Sequence, residues 1–205
     1  MSYRRLARFS VVTLAAAGLA WSLPAAAQFS ESYKFLESVK KKEGQEVTDA
    51  LAKGNPNLIN TRDVTSGETA LHIVTQRRDL TWMQFLIGKG ANVNARDVRG
   101  QTPLVVASNF SFVEGVDLLV AHGAKVDEPN SAGETPLITA VHNRNIALVR
   151  VLLKAGASPT RADNSGRNAI DYAAIEGKGG AIWTELETTR KAKAAGAKPT
   201  YGPSF

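Results

Sequence analysis

The apolar positions between Leu137 and Leu153 fall into two short stripes. Leu137, Ala140 and Val141 make one, and Leu148, Val149, Leu152 and Leu153 make the other, with a polar break near Asn143 to Asn145. Spacings of three and four residues put each set on one face of a helix, so the pattern predicts a helix pair joined by a tight turn. The flanking residues agree. Thr69, Thr102 and Thr135 stand where a hydroxyl can cap the amide groups that a first helical turn leaves unpaired, and Pro103 and Pro136 follow at a position that needs no donor. Gly90, Gly123 and Gly156 close the second helices, because glycine takes the left-handed conformation there at little cost. Ala107 and Ala140 are small enough to let neighbouring helices approach closely.

The pair recurs along the chain. Gly67-Glu68-Thr69-Ala70-Leu71-His72 returns as Gly100-Gln101-Thr102-Pro103-Leu104-Val105, then as Gly133-Glu134-Thr135-Pro136-Leu137-Ile138 and Gly166-Arg167-Asn168-Ala169-Ile170-Asp171, each time after 33 residues. Gly90-Ala91-Asn92-Val93-Asn94, Gly123-Ala124-Lys125-Val126-Asp127 and Gly156-Ala157-Ser158-Pro159-Thr160 keep the same step. One short helix pair cannot bury its apolar face alone, so such a chain is stable only as a stack and needs atypical ends. Phe35, Leu36, Val39, Val47, Ala50 and Leu51 supply an N-terminal helix pair whose outer face Lys40, Lys41 and Lys42 keep wet. At the other end, Gly177, Gly179 and Gly180 weaken the start of the last second helix, and Glu185, Glu187, Thr188 and Thr189 make it polar. Three residues separate Asp63 from Gly67 but only two separate Asp97 from Gly100, so the first loop is one residue longer.

Two signatures in register at this period resemble the ankyrin repeat, in which a turn carrying G-x-T-P-L opens the first helix and L-L-x-x-G-A closes the second. The resemblance covers roughly residues 34 to 188. It implies an all-α solenoid of stacked helix-turn-helix units with short β-hairpin-like loops. The units are an N-terminal capping repeat over 28–66, ankyrin repeats over 67–99, 100–132 and 133–165, and a C-terminal capping repeat over 166–189. It also implies a binding function, with a monomer receiving another protein on a concave face of hairpin tips and first helices. Carried over residue by residue, that face holds Arg77, Arg96, Arg99, Gln101, Asn109, Phe110, Glu134, His142, Asn143 and Arg167. Arginine and aromatic side chains carry most of the energy of such contacts, which makes Arg77, Arg96, Arg99 and Phe110 the expected centre. Phe110 has the alternative of packing beside Phe112. The resemblance gives His72 a structural place, bonded to Thr69 and neighbouring backbone.

The chain ends change the reading of charge. Arg4, Arg5 and Arg8 precede an apolar run, Phe9 to Leu23, and then a small-residue site at Ala25 to Ala27. That order predicts a signal peptide over residues 1–27, cleaved near Ala27, and a periplasmic or secreted mature chain of bacterial type. Ala7 and Arg8 do not supply the apolar pair that a twin-arginine signal wants, so ordinary secretion is expected. Residues 190–205 read as a disordered, mobile basic tail with Arg190, Lys191, Lys193 and Lys198 and no acids. Taking those seven cations from the 25 basic residues leaves 18 against 19 acidic ones. The remaining body is nearly neutral, which excludes nucleic acid as the expected partner. The tail could tether the chain to an anionic membrane surface, though only weakly. No cysteine is present, so thiol and disulfide chemistry are excluded.

Catalytic constellations are missing. His72, His122 and His142 occupy three different slots, and none has a second ligand at helical metal spacing. Gly177, Gly179 and Gly180 lack the lysine and hydroxyl of a phosphate loop. Asp97, Asp127 and Asp163 recur in the loops and read as turn caps. No cofactor or metal is expected. An enzyme would need a site built from residues assigned to structure, with His142 as its testable member.

Overall fold

The cap, stripe and stop signals produce ten helices among the described residues, which are 30–196 of a computed structural model. They are α1 (Glu31–Lys41), α2 (Gly44–Ala52), α3 (Ala70–Gln76), α4 (Leu80–Gly88), α5 (Pro103–Asn109), α6 (Val113–Ala121), α7 (Pro136–His142), α8 (Ile146–Lys154), α9 (Ala169–Gly177) and α10 (Ala181–Ala194). The odd-numbered helices pack in succession as an inner layer, and α4, α6, α8 and α10 do the same as an outer layer. This is an all-α repeat solenoid. Among the described residues there is no strand, only one isolated antiparallel bridge between Arg62 and Thr69.

Helix starts are held by side chains. The hydroxyls of Thr102 and Thr135 accept from the amides of Val105 and Ile138, each at 3.3 Å. Asn168 and Asp171 cap α9 reciprocally, the Asn168 Oδ1 accepting from the Asp171 amide and the Asp171 carboxylate from the Asn168 amide. Equivalent apolar positions form one continuous core: Leu71, Leu104 and Leu137 from the inner helices are fully buried, as are Leu86, Leu119 and Leu152 from the outer ones. Each such side chain contributes about 1.5–3 kcal/mol by leaving water.

The hairpins between repeats are closed by a carboxylate or amide oxygen. Asp97 Oδ1 accepts from the amides of Arg99 and Gln101, Asn130 Oδ1 from Ala132 and Glu134, and Asp163 Oδ1 from Ser165 and Arg167. Asp127 does not belong to this series, correcting the grouping read from sequence; Asn130 holds the equivalent place. In the first hairpin the Asp63 amide donates to Glu68 O, five residues on, where Asp97 reaches Gln101 O, four residues on. The additional length leaves Val64 99% exposed. The hairpins are stitched side by side, with the amides of Val98, Ser131 and Asn164 donating to the carbonyls of Ser66, Arg99 and Ala132. Gly133 is required by this closeness: its φ is +81°, and a Cβ there would lie 2.6 Å from the Asn164 amide nitrogen.

A second series joins the far ends of the repeats. The Asn60 amide donates to Gly90 O (3.3 Å) and accepts from the Asn92 N–H (2.7 Å). Asn94 does the same for Gly123 O (3.1 Å) and the Lys125 N–H (2.9 Å). Asp127 continues the series but has no hydrogen to give, so it only accepts from the Ser158 N–H at 2.9 Å. Gly156 O is capped instead by the Lys193 ammonium at 2.9 Å, which also reaches Ala157 O at 2.9 Å.

That contact corrects the tail boundary. α10 runs past residue 190 to Ala194, because Leu186 and Thr189 are buried, Glu187 pairs with Arg190 at 2.7 Å, and Lys193 docks on the α8 end. The expected signal peptide and residues 197–205 of the expected tail lie outside the described residues.

His72 links α3 to the next repeat. Its Nε2 lies 3.0 Å from Gln101 O, which can only accept, so Nε2 carries the hydrogen and Nδ1 accepts from the Thr69 N–H at 3.2 Å and hydroxyl at 2.9 Å. Burial, the largest influence, pushes the imidazole below the ordinary 6.5, against the weaker opposing pull of the Gln101 carbonyl, Asp97 and Glu68. Protonation would turn Nδ1 into a donor facing the Thr69 amide. Below pH 6.5 the unfolded chain therefore takes up a proton before the folded one does, and stability falls as pH falls. Calorimetry of the wild type between pH 7 and pH 5 is expected to show a falling melting temperature, with a flatter dependence for His72→Gln; equal slopes would contradict this role.

Candidate functional site

Side chains at equivalent places in successive repeats divide into those that hold the stack and those left outside it. Arg96 belongs to the first group. Its guanidinium donates to Gly100 O (3.0 Å) and Pro129 O (2.9 Å) and pairs with Glu128. Arg62 does the same one repeat earlier, with Nε on Gly67 O and Nη2 on Arg96 O. The Arg96 pairing holds the Glu128 carboxyl below the usual range, chiefly through the side-chain hydrogen bond.

Arg77 is also internal. Nη1 donates to Val39 O (2.6 Å) and Lys40 O (3.3 Å), Nη2 lies 3.5 Å from Asp79, and the guanidinium sits over the Trp82 ring, 5.6 Å from its centroid. It staples the end of α3 to the end of α1. Asn143 staples α7 to α5 in the same way, donating to Ser108 O (3.1 Å) and Asn109 O (3.4 Å). Arg77, Arg96 and Asn143 therefore hold the stack through the backbone carbonyls they bond, Arg96 and Asn143 while keeping solvent-exposed surface. Gln101 contributes backbone to the stack, its carbonyl facing His72 and its amide facing Asp97. The Glu134 carboxylate accepts from Asn130 Nδ2 at 3.0 Å.

Five expected residues remain outward. Arg99 is exposed, bridging Asp97 at 3.2 Å and Glu68 at 3.7 Å. Asn109 is exposed at the end of α5, and Phe110 is 49% exposed while Phe112 is buried, which settles the alternative for that ring. His142 meets Tyr172 edge-on, with centroids 4.4 Å apart, and its Nδ1 lies 3.9 Å from Glu134. Arg167 is exposed, its guanidinium 6.0 Å from the Tyr172 centroid. The Tyr172 hydroxyl donates to Asp163 at 2.6 Å; that bond, then the Ser165 hydroxyl, holds the Asp163 carboxyl well below the usual carboxylate range. On the inner helices Gln76, Asn109, His142 and Ile175 share one register position, and Ile175 is 69% exposed.

Sequence reasoning missed Arg78 and Arg144. With Ser111 they keep the 33-residue step, and all three have a left-handed backbone, at φ of 55°, 51° and 51° for Arg78, Arg144 and Ser111. The available signal was their place in the turn between first and second helices, where a side chain is unusual because of its steric cost.

The three histidines remain apart: His72 is buried, His122 Nδ1 lies 2.8 Å from Leu118 O, and His142 meets Tyr172. Among the described residues no group of three or more histidine, cysteine or acidic side chains could hold a metal ion. A cleft of about 320 Å³ between α2 and α4 is lined by Gly44, Gln45, Thr48, Thr81, Trp82 and Phe85, none of them titratable. No helix among the described residues is long and apolar enough to cross a membrane.

The division between holding and outward residues is measurable. Arg96→Ala is expected to cost about 1–3 kcal/mol in denaturant unfolding, because two carbonyls and Glu128 lose their donor. Asn109→Ala is expected to change stability by less than about 0.5 kcal/mol. Similar values for the two would contradict the division.

The family model for ankyrin repeats, three copies in length, matches residues 35–130 and again 113–184. Ankyrin repeats are protein-protein interaction modules and are generally non-catalytic. The matched segments span most of the chain and coincide with the stacked helix pairs, and the chain belongs to the ankyrin-repeat family.

Proposed function

We propose that this chain is exported to the bacterial periplasm and there captures a partner protein, without catalysis, on the face made by its hairpins and inner helices. One observation carries the reading. Where side chains face the core, equivalent positions repeat, as in Leu71, Leu104 and Leu137; where they face outward on the inner helices, they become Gln76, Asn109, His142 and Ile175. A rigid stack whose packing positions repeat leaves such outward positions free to match a partner. Exposed Arg99 and Arg167 add directional contacts, and exposed Ile175 adds an apolar one. The fixed hairpin ladder pre-organises this face, so little ordering accompanies binding.

Export rests on the order of Arg4, Arg5, the Phe9 to Leu23 run and Ala25 to Ala27. A tether through the basic tail is the weaker reading, since Arg190 and Lys193 are already engaged by Glu187 and by the α8 carbonyls. The proposed state is a monomer with no cofactor.

Expression of the full chain in a Gram-negative host, followed by periplasmic extraction and crosslinking, tests the whole reading. The recovered protein is expected to begin at Gln28 and to crosslink to one dominant partner. Asn109→Glu combined with Ile175→Glu should lower that yield at least about tenfold, with the melting temperature nearly unchanged. A retained leader would overturn export, and full capture by the double variant would overturn the face.

A further inference from the structure

The turns between first and second helices place a side chain where the backbone disfavours one. Lys42, Arg78, Ser111 and Arg144 all have φ between 51° and 62°, a region that glycine occupies without strain. Glycine does stand at the equivalent place in the last repeat, Gly177. Three of the four strained residues are cations. Backbone strain that recurs at one register, relievable by a single substitution, points to a use for the side chains it presents.

These turns form one continuous edge. Arg77 bonds the carbonyls of Val39 and Lys40, which sets the Lys41–Lys42 turn beside Arg78. The Arg78 guanidinium lies over the Phe112 ring, 5.5 Å from its centroid, and that ring rests on Gly115, where a Cβ would fall 2.4 Å from Phe112 Cδ1. Asn143 bonds the carbonyls of Ser108 and Asn109, which sets the turn with Arg144 beside the turn with Phe110 and Ser111. The turn that carries exposed Phe110 therefore lies between the turns that carry exposed Arg78 and Arg144. The edge carries carboxylates too: Asp79 lies 3.4 Å from Lys42, Glu176 lies 3.2 Å from Arg144, and Glu43 is exposed. Lys41 and Arg78 have no carboxylate within salt-bridge reach among the described residues.

We propose that this edge, from Lys41 and Lys42 through Arg78 and Phe110 to Arg144, docks an acidic segment of a partner protein that carries an aromatic or aliphatic anchor. The anchor lies against Phe110, and flanking carboxylates meet Arg78 and Arg144, the residue types that dominate binding energy when an aromatic centre excludes water. The interspersed carboxylates disfavour a uniform polyanion such as an anionic membrane, whose charge would face Asp79 and Glu176 as well. The edge is distinct from the hairpin-and-inner-helix face and does not depend on it.

The test is fluorescence anisotropy on the full chain with a labelled peptide that has one phenylalanine flanked by glutamates. Controls are the same peptide with serine for phenylalanine, the same with lysines for glutamates, and phosphatidylglycerol vesicles. The acidic peptide is expected to bind, and both altered peptides to bind at least about tenfold more weakly. Arg78→Gly with Arg144→Gly is expected to raise Kd at least about tenfold while holding or raising the melting temperature, because glycine relieves the strain. Arg99→Ala with Arg167→Ala, both at the hairpins, should leave this binding intact, which separates the edge from the other face. No binding of the acidic peptide, equal binding of the serine peptide, tighter binding of vesicles, or indifference to the glycine variants would each overturn the proposal.

Discussion

Every repeat in this chain presents backbone groups that side chains of its neighbour bond. Where such an amide or carbonyl is shielded from water, losing its partner costs more than a typical hydrogen bond gains, so these bonds add to the leucine core in fixing the register of the stack. Asn60 and Asn94 reach forward to Gly90 and Gly123, Arg62 and Arg96 to the Arg96 and Pro129 carbonyls, and His72 to Gln101. Arg77 and Asn143 reach backward. The same geometry shapes the surface, because a side chain that bonds a neighbour's carbonyl has fewer donors left for a partner.

The fold was legible in the sequence wherever one residue type has one local job. Thr102 and Thr135 begin helices, Gly90 and Gly123 end them, and the 33-residue step puts the helix pairs in register, all readable without knowing what lies beside them. Side chains whose job lies in the next repeat were harder to read. Arg96 looked like a contact residue, yet Arg62 stands in the equivalent place, and recurrence itself marks a stack-holding role. Asp127 looked like one more turn cap, and only the Ser158 amide opposite it shows that it continues the Asn60 and Asn94 series. The last turn of α10 reads as tail from sequence because its composition is polar and basic. Its order comes from Lys193 meeting carbonyls about 37 residues back in sequence, which no local pattern reports.

The candidate surfaces follow from the same sorting. Beside the stack-holding Arg77, Arg96 and Asn143, the face of hairpins and inner helices presents Arg99, Asn109, His142, Arg167 and, beyond the expected set, Ile175, with equivalent positions on the inner helices all different. Phe110, expected at the centre of that face, instead lies among the inter-helix turns with Arg78 and Arg144. One face is marked by variation and the other by strain, and these are independent signals of surface that does not serve the core.

The relation between Asp127 and Lys193 tests this account most directly. Asp127 cannot donate to Gly156 O, and Lys193 supplies the missing donor. Asp127→Asn restores an amide hydrogen of the kind that Asn60 and Asn94 use, and should make Lys193 largely redundant. In denaturant unfolding at high salt, where direct charge attraction is screened, Lys193→Ala is expected to cost about 0.5–1.5 kcal/mol in the wild type. In the Asp127→Asn background it should cost less than about half of that. Equal costs in the two backgrounds would contradict the account.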